Sequence, residues 1–541
     1  MENTLKFVYD YPSTGSDEYR LLRFGLRSKI ASFGQALGNP LVTQKKRLDL
    51  ILRNGRNSEF GIQHSLKKVK SLEEYRQAVP IYCYDDLLPF LQKTFVGQAN
   101  ILTKERIISF METSGTSGKP KHIPVTKSWR TSIAIAQRLW ILSMMRDFPQ
   151  IGKGKALTMV SPAIHGETEG GIPIGSNTGR MMKEQPWWIR NNYPIPYEVF
   201  LIQDIEVMQY TYLRFALQEN ITSWTTANPS MILLLCRRLI EWQEFLAKDL
   251  FDGTIQNGPG ANLSTNQRMQ FSTRLKKTCV PIDWRPGRIW PLSLVACWKG
   301  GPASFFVEQL STALGGEIPI WEVGVTASEG YFALPLGQDW AGGVLWTLGH
   351  VMEFIDDAGE VYWLWELEVG KRYRLIITTE AGLYRYDLND YIEVIGFCKE
   401  TPVVRFVGKA GRFLNAVGEK VSEEQVSLAI RQTCLRLQFS PVGFTARLVW
   451  GQIPYIEIAV EGDPPTHFAS VFDEELRKKN IEYASKRKSD RLGSPRTRSV
   501  SNGIYLRFRN MKIANGAPLG QVKDPIIALN EREWQELIDL E

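Results

Sequence analysis

Cysteine is scarce in this chain and scattered. The six cysteines among 541 residues, Cys83, Cys236, Cys279, Cys297, Cys398 and Cys434, include no Cys-x-x-Cys pair. That argues against a disulfide framework or a zinc site and for a reducing, cytoplasmic setting. The five histidines show no metal-ligand spacing. Two of them, His122 and His165, stand beside the motif residues below, where a surface or loop role is equally open. Apolar runs such as 231–236 (MILLLC) are far too short to cross a bilayer. Residues 1–10 carry acidic side chains and lack the apolar core of a secretory signal. Internal repeats and low-complexity tracts are absent. The net charge of +7 is modest, and its basic excess concentrates between 477 and 498, where Tyr483 is the sole aromatic. Nucleic-acid binding wants aromatics interleaved with the charge. That stretch reads as a solvated loop, so neither nucleic acid nor membrane is expected as a partner.

What is present begins at 111–126 (METSGTSGKPKHIPVT). Ser114, Gly115, Thr116 and Ser117 lead into Gly118, Lys119 and Lys121. Glycines let several N–H groups converge on an anion, and hydroxyls and ammonium groups add donors. A β-branched, aromatic stretch (RIISFM) precedes the loop, and Thr126 is placed to cap a following helix. The spacing is not that of a Walker loop, because Gly115 and Gly118 are too close and Pro120 follows Lys119. Taken alone, the segment is a phosphate cradle or an exposed turn.

Three further segments follow in an order that suits a nucleotide. Gly300 and Gly301 (CWKGG, 297–301) let main chain lie flat against an adenine ring. In Thr326-Ala-Ser-Glu-Gly330, Ser328 can donate to a phosphate oxygen, and Glu329 can hold Mg²⁺, a hard cation that prefers oxygen ligands. In Leu383-Tyr-Arg-Tyr-Asp-Leu-Asn-Asp390 a carboxylate can accept both ribose hydroxyls.

At these residues the chain resembles the plant auxin-responsive acyl acid–amido synthetases, the Gretchen Hagen family of the adenylate-forming, firefly luciferase-like superfamily. The family carries a Ser-Ser-Gly-Thr-Ser loop, a Tyr-x-x-Ser-Glu segment and a Tyr-Arg-x-Gly-Asp-like segment. The likeness extends to Asn57-Ser-Glu-Phe-Gly61, Val79-Pro-Ile81 with Tyr84-Asp85, Gly97 through Leu102, Gly411-Arg412, Gly418-Glu-Lys420 and Gly520-Gln-Val-Lys523. The resemblance implies ATP and Mg²⁺ as cofactors. It implies β- and γ-phosphate cradling by Ser114, Thr116 and Ser117, and an α-phosphate contact from Ser328. Glu329 would bind the metal, Asp390 the ribose, and Arg412 of the hinge the nucleotide. Lys523 would bridge carboxylate and phosphate oxygens during adenylation, with a buried structural lysine as the alternative. Two positions depart from the pattern. Val325 stands where a tyrosine would stack on adenine beside Thr326. Asn389 stands where glycine is usual, and the alignment makes Asp390, not Asp387, the ribose ligand.

The length suggests two or three packing units. Residues 1–105 read as mostly helical, and strands alternate with amphipathic helices from 106 to 330, with one helix over 229–246. Residues 343–407 read as β-rich. A glycine-bracketed joint at 408–412 precedes a compact α+β unit with helices at 422–437 and 467–484. The expected fold is therefore α/β. A large N-terminal domain of helix-covered sheets (1–408) binds acid and ATP, and a small, mobile α+β lid follows (409–541). The acyl pocket is bordered by 161–180, 226–230 and Phe332, or these are ordinary loops. The expected reaction is acyl-adenylate formation followed by transfer to an amine, with a small-molecule acid and an amino acid as substrates and a monomer as the working form. An acyl-CoA or carrier-protein ligase and a non-catalytic nucleotide-binding module are the alternatives.

Overall fold

A computed structural model describes residues 17–113, 121–184, 187–338, 340, 342–517 and 522–541. It divides into two compact units, one comprising 1–299, 310–388 and 392–405, the other 300–309, 389–391 and 406–541.

In the first unit, four parallel strands lie in the order Lys155–Thr158, Ile221–Thr225, Leu294–Cys297, Ile320–Glu322. Leu294–Cys297 is buried along its whole length, as expected for a parallel strand covered on both faces. A second sheet pairs Ile107–Thr113 antiparallel with Lys121–Thr126. The nucleotide-loop candidates therefore connect two paired strands, and the capped helix begins only after the second strand. Thr126 Oγ1 accepts from Trp129 N at 3.3 Å and starts the helix Lys127–Asp147. An eight-stranded sheet runs Val361–Trp363, Val351–Ile355, Arg372–Thr378, Tyr386–Cys398, Thr401–Lys409, Gly343–Leu345, Gly330–Leu334, Val325–Ala327.

The helix expected over 229–246 is two helices, Pro229–Glu241 and Gln243–Asp252, separated at Trp242. Trp242 is buried, and the Arg238 guanidinium lies over its ring at 4.6 Å. No helix-breaking residue announces the break.

Arg385 is a buried anchor of this unit. It donates to Glu353 through Nε at 2.9 Å and Nη2 at 3.0 Å, and through Nη1 to Val79 O at 2.7 Å and Arg76 O at 3.1 Å. Removing one member of such a pair strands a charge out of water. Arg385→Leu is expected to cost about 3–5 kcal/mol of stability, read from urea unfolding. A loss under about 1 kcal/mol, the scale of an exposed pair, would contradict the role given to Arg385.

In the second unit, a sheet in the order Arg496–Val500, Tyr455–Glu461, Phe444–Val449, Ile527–Ala528 packs on helices. Ile504, Tyr505, Phe508, Trp534 and Leu537 form one cluster of its core. Ser422 caps the helix Glu423–Leu437 through a capping box with Gln425. The helix expected over 467–484 ends at Lys479, and Asn480 restarts the chain as Ile481–Lys488 by accepting from Tyr483 N at 2.8 Å. A side chain that caps well competes with helix continuation. The basic stretch is therefore no plain solvated loop. It includes this second helix, and buried Arg487 is paired with Asp473 at 3.0 Å and donates to Leu492 O at 2.6 Å.

Candidate active site

In the first unit, Val325–Ala327 and Gly330–Leu334 form an antiparallel hairpin in which Ala327 faces Gly330. Ser328 and Glu329 are its two-residue turn. Glu329 is buried, and its carbonyl accepts from Trp129 Nε1 at 2.9 Å, so the capped helix holds the turn in place. Tyr84 lies within electrostatic reach of Glu329. Burial raises its phenol, a hydrogen bond from His122 N opposes this, and Asp85 and Glu329 raise it further. A Cβ on Gly330 would stand 2.4 Å from His350 Nε2 and 2.9 Å from the Phe332 ring. Glycine is thus required beside the turn. Burial pushes His350 down to about 3, so this imidazole is neutral. Val325 is buried and Thr326 half-buried. Val325 packs into the interior, so a tyrosine there would have to displace its neighbours.

Ser114, Gly115, Thr116 and Ser117 lie outside the described residues. Their flanks are fixed by the pairing of Thr113 with Lys121.

Glu322, which sequence reasoning missed, accepts from Lys299 N at 2.8 Å and from Gly324 N at 2.9 Å. It thereby joins the CWKGG strand end to the approach of the hairpin. Burial pushes its carboxyl up to about 7, against the pull of these N–H groups and of Lys299. In the unfolded chain it titrates near 4.5. Between those two values the folded form holds more protons, so stability falls as pH rises through the window. Unfolding midpoints measured from pH 4 to 8 should show a decline in wild type that Glu322→Gln lacks. Parallel curves for the two proteins would refute the assignment.

In the second unit, Gly300 and Gly301 pack against a strand. A Cβ on Gly300 would approach Phe406 O to 3.0 Å, and Gly301 has φ +56° and would approach Val407 O to 3.0 Å. Asp390 is buried and accepts from Lys409 Nζ at 2.6 Å. Asn389 has φ +60°, a left-handed conformation that asparagine tolerates better than most residues. That accounts for asparagine in place of the family's glycine. Its Nδ2 donates to Ala410 O at 2.9 Å, and Ala410 N donates to Asn389 O at 2.7 Å. Asp387, in the first unit, pairs with Arg374 at 2.9 Å.

Arg412 donates to Glu423 at 2.8 Å, to Ile527 O at 2.6 Å and to Glu533 at 3.3 Å. In this conformation it braces the second unit from within. Lys523 is exposed, yet its surroundings lower its pKa. Desolvation leads, repulsion by Lys409 adds, and Asp390 and Glu423 oppose. The neighbouring Asp524 is fixed by the buried Arg509, whose Nε donates to it at 2.7 Å. Asp390, Lys409, Arg412, Glu423 and Lys523 thus belong to one charged network, in which Lys409 has no counterpart in the sequence expectations beyond its place at the hinge.

One unit is a helix-covered α/β fold with a Ser-Glu turn, and the other is an α+β fold carrying a carboxylate and two lysines. The structure aligns with a 2-hydroxyisobutyryl-CoA ligase in complex with its acyl-AMP (TM-score 0.51, 12% identity, 92% of this chain and 90% of that one). It aligns far better with the GH3.15 acyl acid amido synthetase (TM-score 0.82, 18% identity, 95% of each chain). The GH3 family N-terminal domain matches residues 29–320, its central domain 344–409 and its C-terminal domain 424–532. The chain belongs to the GH3 family. Among its relatives, the indole-3-acetic acid-amido synthetase GH3.3 of Arabidopsis thaliana is 25% identical, over 89% of this chain and 88% of that protein. The jasmonoyl–L-amino acid synthetase JAR6 of Nicotiana attenuata is 24% identical, over 89% and 90%.

Proposed function

We propose that this protein is an AMP-forming acid–amine ligase, activating a small carboxylic acid with ATP and transferring the acyl group to an amino acid. A carboxylate is a poor acylating agent because its leaving group would be oxide. Attack of its oxygen on the α-phosphorus of ATP expels pyrophosphate and makes AMP the leaving group instead. The amine then attacks the acyl carbon, and AMP departs. The protein's work is positional and electrostatic. Ser114, Thr116 and Ser117 hold the outer phosphates, Ser328 the α-phosphate, Gly300 and Gly301 the adenine and Asp390 the ribose.

The observation that carries this reading is the two-residue turn that presents Ser328 beside a buried Glu329. The donors suit Mg²⁺. No group of three or more His, Cys, Asp or Glu among the described residues could hold a metal ion by itself, and magnesium on a nucleotide is commonly held by one or two carboxylates together with phosphate oxygens. Glu329 would supply the carboxylate, and the ion would offset charge on the phosphates.

Residues 1–408 act in this reading as the acid- and ATP-binding domain and 409–541 as a mobile lid. Gly411, with φ +76°, sits in the proposed hinge at 409–412. The working form is a cytoplasmic monomer. All six cysteines are free thiols, and no helix among the described residues is long and apolar enough to cross a membrane. Mass spectrometry of products from mixed acids, amino acids and coenzyme A with Mg·ATP tests the proposal. Acyl–amino acid conjugates with AMP are expected, and thioesters in their place would assign the protein to the CoA ligases.

A further inference from the structure

Glu112, His122 and His165 come together from three separate segments of the first unit, and the reaction as described so far uses none of them. Glu112 is the penultimate residue of the strand that enters the nucleotide loop, and His122 is its register partner on the returning strand. His165 is placed by its backbone N–H, which donates to Ile174 O at 2.9 Å in the strand beside Ile107–Thr113. Both imidazoles address one carboxylate oxygen. His165 Nε2 lies 3.1 Å from Glu112 Oε2, and His122 Nε2 lies 3.7 Å from it.

The trio lies outside the packed core. The side chains of His122 and His165 are 25% and 33% exposed. The His122 N–H donates to Tyr84 OH at 2.8 Å, and Tyr84 in turn feels Glu329. Phe95 packs edge-on against His122 at 5.5 Å, and Lys121 Nζ lies over the Tyr84 ring at 5.4 Å. The trio lacks the geometry to hold a metal ion.

The second half-reaction has a need that this trio meets. An amino acid reaches the site largely as an ammonium ion, which has no lone pair with which to attack. We propose that His165, oriented by Glu112, is the base that deprotonates the acceptor amine. This rests on the acid–amine ligase reading. With Nε2–H donating to Glu112, the tautomer leaves the lone pair on Nδ1, which makes no hydrogen bond among the described residues. Nδ1 takes one proton from the ammonium. The freed nitrogen pair forms the C–N bond at the acyl carbon, and the C–O bond to AMP breaks with its electrons left on the phosphate. The remaining surplus amine proton passes to solvent. Glu112 is a positioning residue. His122 and His165 hold its carboxyl down to about 2, so it stays ionised throughout the working pH range and stabilises the imidazolium that forms. General-base assistance of this kind contributes on the order of 100- to 10,000-fold.

The test uses the full-length enzyme with the acid and the amino acid that give the fastest turnover, and hydroxylamine as a second acceptor. Hydroxylamine is uncharged at neutral pH and needs no base to expose its lone pair. For His165→Ala, amino acid conjugation should fall about 100-fold or more. Hydroxamate formation and acid-dependent pyrophosphate exchange should stay within roughly threefold of wild type. Glu112→Gln should show the same split in weaker form, and raising the pH should partly restore conjugation in both variants. Equal losses with both amines, or no loss with the amino acid, would overturn the assignment. Absence of pyrophosphate exchange in wild type would instead strike at the ligase reading itself.

Discussion

Lys523→Ala is expected to depress acid-dependent ATP–pyrophosphate exchange by roughly 100- to 1000-fold, about 2.7–4 kcal/mol, the scale of one preorganised donor at a developing charge. Aminolysis of a supplied acyl-adenylate should be nearly intact. The two half-reactions need different surroundings, first a cation beside the α-phosphate and the attacking carboxylate, then an open path for the amine. The proposed lid, turning about 409–412, would supply both, because hinges are a few residues that absorb large dihedral changes. Equal slowing of both half-reactions, in a variant that still folds, would mean that Lys523 braces the lid and does not serve adenylation.

Glu329→Gln should lose ~2–4 kcal/mol of transition-state stabilisation with the fold intact. Its backbone contact to Trp129 is made by the carbonyl, which the substitution leaves in place, so structural damage is not expected to confuse the result. The loss should appear in pyrophosphate exchange and in the magnesium concentration needed for half-maximal rate. Near-normal exchange at ordinary magnesium would remove the metal-binding role from this residue.

Local chemistry was readable from the residues. Thr126 caps the helix that the sequence places after it, because a hydroxyl at that position satisfies an orphan N–H wherever the chain goes next. The strand before Gly300 also follows from neighbouring residues alone. Asn389 stood out as a departure from the family, and only its φ of +60° explains why asparagine is accepted there. Long-range partners were not readable. Glu322 meets Lys299 N across 23 residues, and Lys409 meets Asp390 across 19. Neither distance follows from spacing or composition. One helix breaks at Trp242, and at Asn480 a side-chain cap starts a second helix, while periodicity over the same residues continues past both points.

The most direct test of the central claim is pyrophosphate exchange by the unmodified protein. Radiolabelled pyrophosphate, Mg·ATP and a panel of small carboxylic acids, with no amine present, should give label in ATP only when a suitable acid is added. An acid-dependent exchange that Lys523→Ala and Glu329→Gln both suppress is the result predicted here. A folded protein that binds ATP yet exchanges no pyrophosphate with any acid would contradict it.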